Sequence, residues 1–381
     1  MKKVKLKDIF EIRKGKKVES VDEFTPNKVR YIQIEDLRDD SNIKYCLPEK
    51  NYVYANSESI IIAWDGANAG TVSYGLEGAI GSTLAVLESN NKNVYIPYIG
   101  KYLQSKFDYL RATCTGATIP HISRKALENL VIPIPSIETQ MLISKTLDKV
   151  KSLIDKRKAQ IEALDQLTQS VFLEMFGDPN CNTKNHKKVP LGEVFEIKTG
   201  GTPSRSNNNY WNGEIPWVKT TEVNENVIIH TEEFITVDGL SNSNAVLFPK
   251  DTILIAMYGQ GKTRGRTAML GIEATTNQAC AALLPNNEIE QDFMWRQLMF
   301  QYDALRTLGR GGNQPNLNLN LVRQFEVILP PVSMQKKFVT IVKDIEKAKS
   351  HLLYSMEELK AMYNSLMQRA FRGELFTEEH E

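Results

Sequence analysis

The most chemically suggestive segment is a glycine-rich stretch, AMYGQGKT at 256–263, which follows a predicted strand. It matches a relaxed phosphate-loop pattern. A true phosphate loop opens a helix, but the residues that follow, RGRTAMLGIEA, contain two glycines and no helical apolar stripe. The similar segment WDGANAGTVS at 64–73 has no Gly-Lys pair. The pattern favours a basic loop whose glycines allow close approach to a phosphate backbone, with a nucleotide-dependent enzyme as an alternative.

Other catalytic and metal-binding patterns are missing from the sequence. The nearest match to an adenine-methyltransferase tetrapeptide, DPN at 178–180, lacks the second proline and the aromatic residue, and no acid–acid–lysine nuclease core stands out. Histidines and cysteines are scattered without metal-ligand spacing, at His121, His186, His230, His351 and His380 and at Cys46, Cys114, Cys181 and Cys280. Such cysteines fit reduced thiols better than a disulfide framework. We predict a protein without a catalytic centre, metal site or bound cofactor of its own.

Length and composition indicate a globular protein. The chain has 381 residues, enough for two or three domains, with 41% hydrophobic and 24% charged residues, which excludes a disordered chain. It has no apolar run long enough to span a membrane, and its first residues, MKKVKLKDIF, lack the apolar run of a secretion signal. We therefore expect a cytoplasmic protein. The net charge of +1 neither demands nor forbids an anionic partner.

The chain contains two copies of one unit of about 190 residues. Matching segments and residues recur in the same order, 185 residues apart near the start of the unit and 195 apart later. They are VKLKDIFEIRKG (4–15) with VPLGEVFEIKTG (189–200), SIIIAWDG (59–66) with TILIAMYG (252–259), FDYLRATCTG (107–116) with YDALRTLGRG (302–311), and the pairs Pro120–Pro315, Pro135–Pro330, Gln140–Gln335, Leu164–Leu359, Ser170–Ser365 and Phe176–Phe371.

The first part of each unit, 1–136 or 187–331, is rich in short β-prone runs. SIIIAW and DTILIAM predict buried strands, and Phe10 and Phe195 are expected in the core. Segments 96–111 and 291–308 predict amphipathic helices, and Trp217 is expected to start a strand. The prolines of IPIPS and ILPPVS mark the end of this part.

The second part of each unit, 137–177 or 332–373, predicts a long helix. Seventeen of twenty positions at alternating spacings of four and three are apolar or aromatic, a coiled-coil pattern. The exceptions include Arg157 and Lys349, for which an acidic partner is left open. We predict an α+β fold with two β-rich domains at opposite ends of a long antiparallel two-helix coiled coil, related by a pseudo-two-fold internal repeat.

Basic residues cluster in predicted loops of both copies. Residues 1–17 hold eight Lys and Arg against two acids, whereas 259–266 and 305–323 each hold three cations and no acid. Lys and Arg neutralise phosphates, and Asn, Gln and Arg can read base edges. A pair of matched domains on a rigid spacer suits two half-sites at a fixed distance on DNA. Each cluster taken alone is equally compatible with a merely solvated surface.

The sequence resembles the specificity (S) subunit of type I restriction–modification systems over nearly its whole length. The resemblance rests on the order and duplication of several motifs and on the helix that follows each copy. These motifs are LGEVFEIKTGGTPS (191–204), IPWVK (215–219), GGNQPNLN (311–318) and LPPVSMQ (329–335), with the weaker first-copy versions LKDIFEIRKGK, GATIPHIS and IPIPSIETQ.

The resemblance implies a non-catalytic DNA-binding subunit with target recognition domains at 1–136 and 187–331 and spacer helices at 137–177 and 332–373. It implies a split DNA target, two modification (methyltransferase) subunits that bind S-adenosylmethionine, and restriction subunits that use ATP and Mg as further partners. The specificity subunit of a fused type II restriction–methylation enzyme is the alternative.

Polar and basic residues in the predicted loops are the expected DNA contacts. Trp64 and Tyr258 are interpreted as matching residues that either pack under the loop or stack on DNA, and His121, opposite Asn316, either reads a base or caps a loop. The expected contacts are Lys14, Lys16, Lys17, Trp64, Asn68, Arg111, Thr115, Thr118, His121, Arg124, Thr202, Arg205, Lys219, Thr220, Tyr258, Gln260, Lys262, Arg264, Arg266, Arg310, Asn313, Gln314 and Asn316.

Overall fold

A computed structural model describes residues 2–39, 41–116, 118–259, 261–309 and 316–376. The chain divides into two compact units. Unit 1 draws on Met1–Ala159 and Leu352–Glu381, and unit 2 on Gln160–His351. Each unit contains a β-rich part and a piece of each of two long helices. The predicted boundaries between recognition domains and spacer helices stay a prediction.

Unit 1 contains a four-stranded sheet in the order β2-β9-β6-β7, a second in the order β4-β3-β8-β5, and the antiparallel pair β1-β10. Its elements are β1 (Lys2–Lys5), β2 (Glu11–Lys14), β3 (Val29–Ile32), β4 (Lys44–Cys46), β5 (Tyr54–Ala55), β6 (Ile60–Ala63), β7 (Val72–Tyr74), β8 (Gly78–Ile80), β9 (Leu84–Glu88), α1 (Ile96–Gln104), α2 (Phe107–Ala112), α3 (Arg124–Glu128), β10 (Val131–Ile134) and part of α4 (Ile137–Phe176).

Unit 2 contains a five-stranded sheet in the order β12-β19-β16-β17-β14, a three-stranded sheet in the order β15-β13-β18, and the antiparallel pair β11-β20. Its elements are β11 (Lys188–Pro190), α5 (Leu191–Val194), β12 (Ile197–Thr199), β13 (Trp211–Val218), β14 (Val227–Ile228), β15 (Glu233–Ile235), α6 (Val237–Ser241), β16 (Ile253–Ala256), β17 (Thr267–Leu270), β18 (Thr275–Thr276), β19 (Cys280–Leu283), α7 (Gln291–Phe300), α8 (Tyr302–Thr307), α9 (Leu319–Gln324), β20 (Glu326–Ile328) and part of α10 (Val332–Arg372).

The apolar runs form the predicted buried strands. All four residues of β6 and all four of β16 are buried, because each strand is central in its sheet and covered on both faces. Phe10 and Phe195 lie in the cores, as expected.

Two local predictions were wrong. The single helices expected at 96–111 and 291–308 are each two helices, broken after Gln104 and at Gln301. In the first break the Ser105 hydroxyl donates to the Tyr102 carbonyl at 2.6 Å and competes with the helical pattern. Trp217 lies near the end of β13 instead of its start, because the strand continues back through an irregularity between Trp211 and Ile215.

The long helices run antiparallel within each unit. In unit 1 the start of α4, with Ile143 and Leu147, shares a core with the end of α10 at Ala370. In unit 2 the end of α4 meets the start of α10, where the rings of Phe172 and Phe338 lie 5.5 Å apart. The predicted antiparallel pairing of the long helices is therefore present in both units.

Polar side chains anchor each long helix to the β-rich part of its unit. The fully buried Gln140 accepts a hydrogen bond from the Tyr95 backbone at 2.9 Å, and Gln335 accepts one from Glu290 at 3.0 Å. Lys349, a charge on the heptad seam, pairs with Asp165 at 2.5 Å within unit 2. Lys349 thus has an acidic partner.

Candidate nucleic-acid interface

Strand pairing fixes which residues of the two units are equivalent. In unit 1, Leu87 of β9 pairs with Ile60 of β6 on one side and with Ile12 of β2 on the other. In unit 2, Leu283 of β19 pairs in the same way with Ile253 of β16 and Ile197 of β12. Counting along these strands makes Lys14 equivalent to Thr199, Trp64 to Met257 and Asp65 to Tyr258. The backbone agrees, because Ile122 donates to the Trp64 carbonyl at 2.9 Å and Leu317 to the Met257 carbonyl at 3.0 Å.

The predicted match between Trp64 and Tyr258 was therefore wrong by one residue. Because successive strand residues point to opposite faces, this single step changes the environment of the side chain. Trp64 is half-buried and packs against the core of unit 1, as one of the two alternatives proposed. Tyr258 is 40% exposed, so its ring is available to a ligand.

Three polar side chains meet beyond the end of β6 in unit 1. The Lys14 ammonium lies 2.7 Å from Asp65 Oδ2, and His121 Nδ1 lies 2.6 Å from Asp65 Oδ1. Burial of Asp65 raises its pKa, but the hydrogen bonds from Lys14 and His121, together with the Lys14 charge, outweigh this and lower the pKa below its ordinary value. The structure thus joins two predicted contacts, Lys14 and His121, through a carboxylate that sequence analysis missed.

The loops around this cluster are held by backbone hydrogen bonds. Thr115 and His121 exchange two bonds of 2.8 Å, and the Gly66 amide donates to Pro120 at 2.9 Å. Arg111 donates to the Ala67 carbonyl, which ties α2 to the loop that carries Asp65. Arg111 is therefore partly occupied by a structural contact.

The remaining predicted contacts of unit 1 are mostly exposed. Lys16, Lys17, Thr115 and Thr118 are exposed and Asn68 is half-buried. Arg124 differs, because it pairs with Glu128 at 2.7 Å and donates to the Ile12 carbonyl at 3.5 Å. In unit 2, Arg323 donates to the equivalent Ile197 carbonyl at 3.1 Å. In both units an arginine contacts this carbonyl, although the two arginines are not at equivalent positions of the repeat, and the contacts of Arg124 indicate a structural role.

A polar surface occupies the corresponding region of unit 2. Thr202 donates to Gln278 Oε1 at 2.6 Å, and the exposed Asn316 precedes the Leu317 backbone that bonds to Met257. The groove at Thr202 and Gln278 is lined by Thr199, Gly200, Gly201, Thr202, Ser204, Asn242, Ser243, Asn244 and Gln278. Sequence analysis missed the 242–244 and Gln278 part of this surface. The run SNSN at 241–244 was the signal for it.

Two predicted cations of unit 2 are neutralised by acids. Arg205 pairs with Glu233 and lies over the Trp211 ring at 3.7 Å, whereas Lys219 pairs with Glu232 at 2.5 Å and with Glu233 at 3.4 Å. The hydrogen bond from Arg205 is the main cause that holds the pKa of Glu233 below its ordinary value. The net positive charge expected here is therefore largely cancelled.

The expectation that Thr220 contacts DNA was wrong, because its side chain is buried. A short 3-10 helix, Thr220–Glu222, turns its side chain inward, where the hydroxyl donates to Asn277 Oδ1 at 2.9 Å.

The described part of the loop after β16 lacks the helix that a phosphate loop opens. Instead the chain returns as β17, antiparallel to β16. Lys262 is exposed and its carbonyl accepts from the Tyr302 hydroxyl at 2.8 Å, whereas Arg264 and Arg266 are half-buried. The predicted contacts Gln260, Arg310, Asn313 and Gln314 lie outside the described residues.

The described ranges contain neither a cluster of His, Cys, Asp and Glu suited to a metal ion nor a helix long and apolar enough to cross a membrane.

Residues 1–164 and 183–355 match the family described as the type I restriction modification DNA specificity domain. The chain belongs to this family. It is a type I restriction–modification specificity subunit, the non-catalytic DNA-recognition component of such a system. Specificity subunits bind no cofactor themselves.

Curated specificity subunits are similar to this chain over more than half of its length. The type I restriction enzyme MjaVIII specificity subunit of Methanocaldococcus jannaschii is 25% identical over 98% of this chain and 92% of its own. The MjaIX specificity subunit of the same organism is 23% identical over 75% and 69%. The EcoR124I/EcoR124II specificity subunit of Escherichia coli is 26% identical over 58% and 56%. All are type I subunits, so the fused type II alternative is not favoured.

Solved structures show the same fold. The S subunit of the type I restriction-modification system of M. genitalium covers 97% of this chain and 96% of its own, with a TM-score of 0.59 and 19% identity. A chain from work on complex assembly and conformational transition of the type I R-M system covers 98% of each chain, with a TM-score of 0.63 and 17% identity.

Proposed function

We propose that the chain binds double-stranded DNA and reads a split, asymmetric target, with one half-site for each unit and a nonspecific spacer between them. The observation that carries this proposal is that three pairs of equivalent backbone positions in the two units carry unlike side chains. Lys14, Asp65 and His121 in unit 1 replace Thr199, Tyr258 and Asn316 in unit 2. Two unlike sets of hydrogen-bonding groups recognise different base edges.

The proposed partners follow from membership of the family. We propose that two modification subunits, which bind S-adenosylmethionine, assemble with the chain on DNA in the cytoplasm. Restriction subunits that use ATP and Mg are the further partners. Each unit contains a piece of both spacer helices, and these helices would set the distance between the half-sites.

The predicted contacts divide into backbone and base contacts. Exposed cations such as Lys16, Lys17 and Lys262 are proposed to contact phosphates and to position the protein. His121, Tyr258 and Asn316, together with the groove at 242–244, are proposed to contact base edges. Arg205, Lys219 and Thr220 contribute less than the sequence suggested, because acids or burial occupy them.

A domain exchange tests the proposal. Replacing 1–136 by the same part of another specificity subunit should change one half of the methylated sequence and leave the other half unchanged. The readout is methylome sequencing of cells that contain the exchanged chain and the modification subunits. The unexchanged chain is the control. A continuous or palindromic target sequence would contradict the proposal that two unlike units each recognise one half-site.

A deletion tests the spacing. Removing four residues from each long helix, at positions matched in the internal repeat, should shorten the nonspecific spacer and preserve both half-site sequences. The same methylome readout reports both quantities. A spacer of unchanged length would refute the role of the helices.

A further inference from the structure

The cluster formed by Lys14, Asp65 and His121 has a geometry that the general function does not explain. Both oxygens of Asp65 are engaged, at 2.7 Å by Lys14 and at 2.6 Å by His121. The Asp65 side chain is 16% exposed, whereas that of His121 is 47% exposed. The carboxylate is thus turned inward toward its partners, and the imidazole is the group that faces outward.

The backbone fixes His121 from both sides. Its own amide and carbonyl bond to Thr115 at 2.8 Å, and the next residue, Ile122, bonds to Trp64 at 2.9 Å. Gly116 has φ +95°, and a Cβ there would lie 2.4 Å from the Ile119 carbonyl oxygen and 3.0 Å from His121 Cδ2. The loop therefore requires glycine at this point and packs closely against the ring.

Hydrogen-bond chemistry assigns the two ring nitrogens different roles. An ionised carboxylate only accepts, so Nδ1 carries the proton in its contact with Asp65. In the neutral ring, Nε2 is then an acceptor. Lys14 holds the other oxygen of Asp65 at 2.7 Å, so the carboxylate has a cationic partner of its own. Within the described residues, Nε2 has no hydrogen-bond partner.

We propose that His121 is a specificity-determining residue of unit 1, which accepts through Nε2 a hydrogen bond from an exocyclic base amine in the major groove. Asp65, braced by Lys14, is the positioning residue that fixes this tautomer. The ligand group is the N6 amine of adenine or the N4 amine of cytosine, since these are the major-groove donors. This inference rests on the proposed function.

Unit 2 provides an internal comparison. The positions equivalent to the cluster hold Thr199, Tyr258 and Asn316, in which no carboxylate fixes an imidazole. The Asn316 amide offers a donor and an acceptor at once and needs no tautomer to be selected. Changes to Asp65 or His121 should therefore leave recognition of the second half-site unchanged.

The experiment measures DNA binding by the complex of the full chain with its modification subunits. In cognate duplexes, each adenine or cytosine of both half-sites is replaced in turn by an analogue that lacks only the exocyclic amine. At one position of the first half-site, loss of the amine should weaken binding by the native complex about tenfold. In His121→Ala the same loss should have no further effect. Analogues in the second half-site should weaken both complexes equally.

Two further variants separate positioning from folding. Asp65→Asn can donate as well as accept, so the tautomer is no longer fixed, and most of the discrimination at that one position should disappear. His121→Asn introduces the residue that unit 2 holds there, and it guards against a loop defect in His121→Ala. It should still bind DNA specifically through the other contacts but change which base is preferred at this one position.

Some outcomes would overturn the inference. If His121→Ala lowers the affinity for every duplex by one common factor, His121 contacts the DNA backbone and not a base. If the affinity for no duplex changes, His121 makes no contact with DNA. Discrimination retained in Asp65→Asn would remove the positioning role. In all these cases the native complex still prefers its target. Failure of the native complex to distinguish the target from a scrambled duplex would refute the proposed function itself.

Discussion

The two units of this chain share a backbone plan and differ in how their polar side chains are paired. In unit 1, Asp65 joins Lys14 and His121 into one exposed cluster. In unit 2 the equivalent positions are uncharged, and the cations Arg205 and Lys219 are paired with acids nearby. The strands therefore fix positions, and the side chains placed there decide the chemistry.

The buried glutamines that anchor the long helices, in contrast, make the same contacts in both units. Gln140 and Gln335 occupy matching positions and make the same kind of hydrogen bond to the β-rich part of their units. The cations Lys101 and Arg296, also at matching positions, pair with Asp148 and Glu346 on the long helices. Contacts that support the fold are thus repeated, whereas exposed contacts are not.

The largest expected effect comes from the helix cores. Phe338 packs edge-on against Phe172 and Phe176, so Phe338→Ala should cost about 3–5 kcal/mol, and the matched Ile143→Ala in unit 1 about 2–5 kcal/mol. Hydrogen exchange should show each loss mainly in the unit that carries the change. Met141→Ala, which is half exposed, is the control and should cost under about 0.5 kcal/mol. Equal losses in both units would show that the units do not have separate cores.

The buried glutamines should give the next largest effect. Gln335→Ala leaves the Glu290 amide without its acceptor, and Gln140→Ala does the same to the Tyr95 amide, at about 1–3 kcal/mol each. Exchange of these two amides should speed up in the corresponding variant. The exposed Gln169→Ala on α4 is the control. Unchanged protection would mean that the glutamines are not anchors.

Two changes in unit 2 sharpen the distinction between base and backbone contacts. Asn316→Ala should reduce discrimination at one base pair of the second half-site by about 1–3 kcal/mol. Lys262→Ala should weaken binding to all sequences alike and lower the salt slope by about one. Binding titrations with the assembled complex at several salt concentrations measure both. Reversed behaviour of the two variants would refute the assignment.

The smallest expected effect is on acid stability. Because the pKa of Asp65 is lowered in the folded chain, its stabilisation is present above about pH 4 and is lost as the pH falls through the lowered value. The half-exposed Lys14 limits the effect to under about 1 kcal/mol. Asp65→Asn should flatten the acid limb of the stability curve, whereas Tyr258→Phe in unit 2 should leave it unchanged. An unchanged acid limb in Asp65→Asn would contradict the linkage.

Much of the fold was predictable because it depends on local pattern. The apolar runs at β6 and β16 and the sustained heptads require burial wherever they lie, so they predicted buried strands and paired helices. The break at Ser105 and the start of β13 at Trp211 were not predictable, since a side-chain hydrogen bond and an irregular strand decide them.

The sequence by itself determined the internal repeat, the periodicity of the long helices and the family to which the chain belongs. Tertiary structure alone decided which polar groups are free to act. Asp65 meets Lys14 and His121, Glu233 cancels Arg205, and Thr220 turns inward, although none of these partners is a near neighbour in sequence. Charge and hydrogen bonding act over a few ångströms of space, so only the folded chain establishes these pairs.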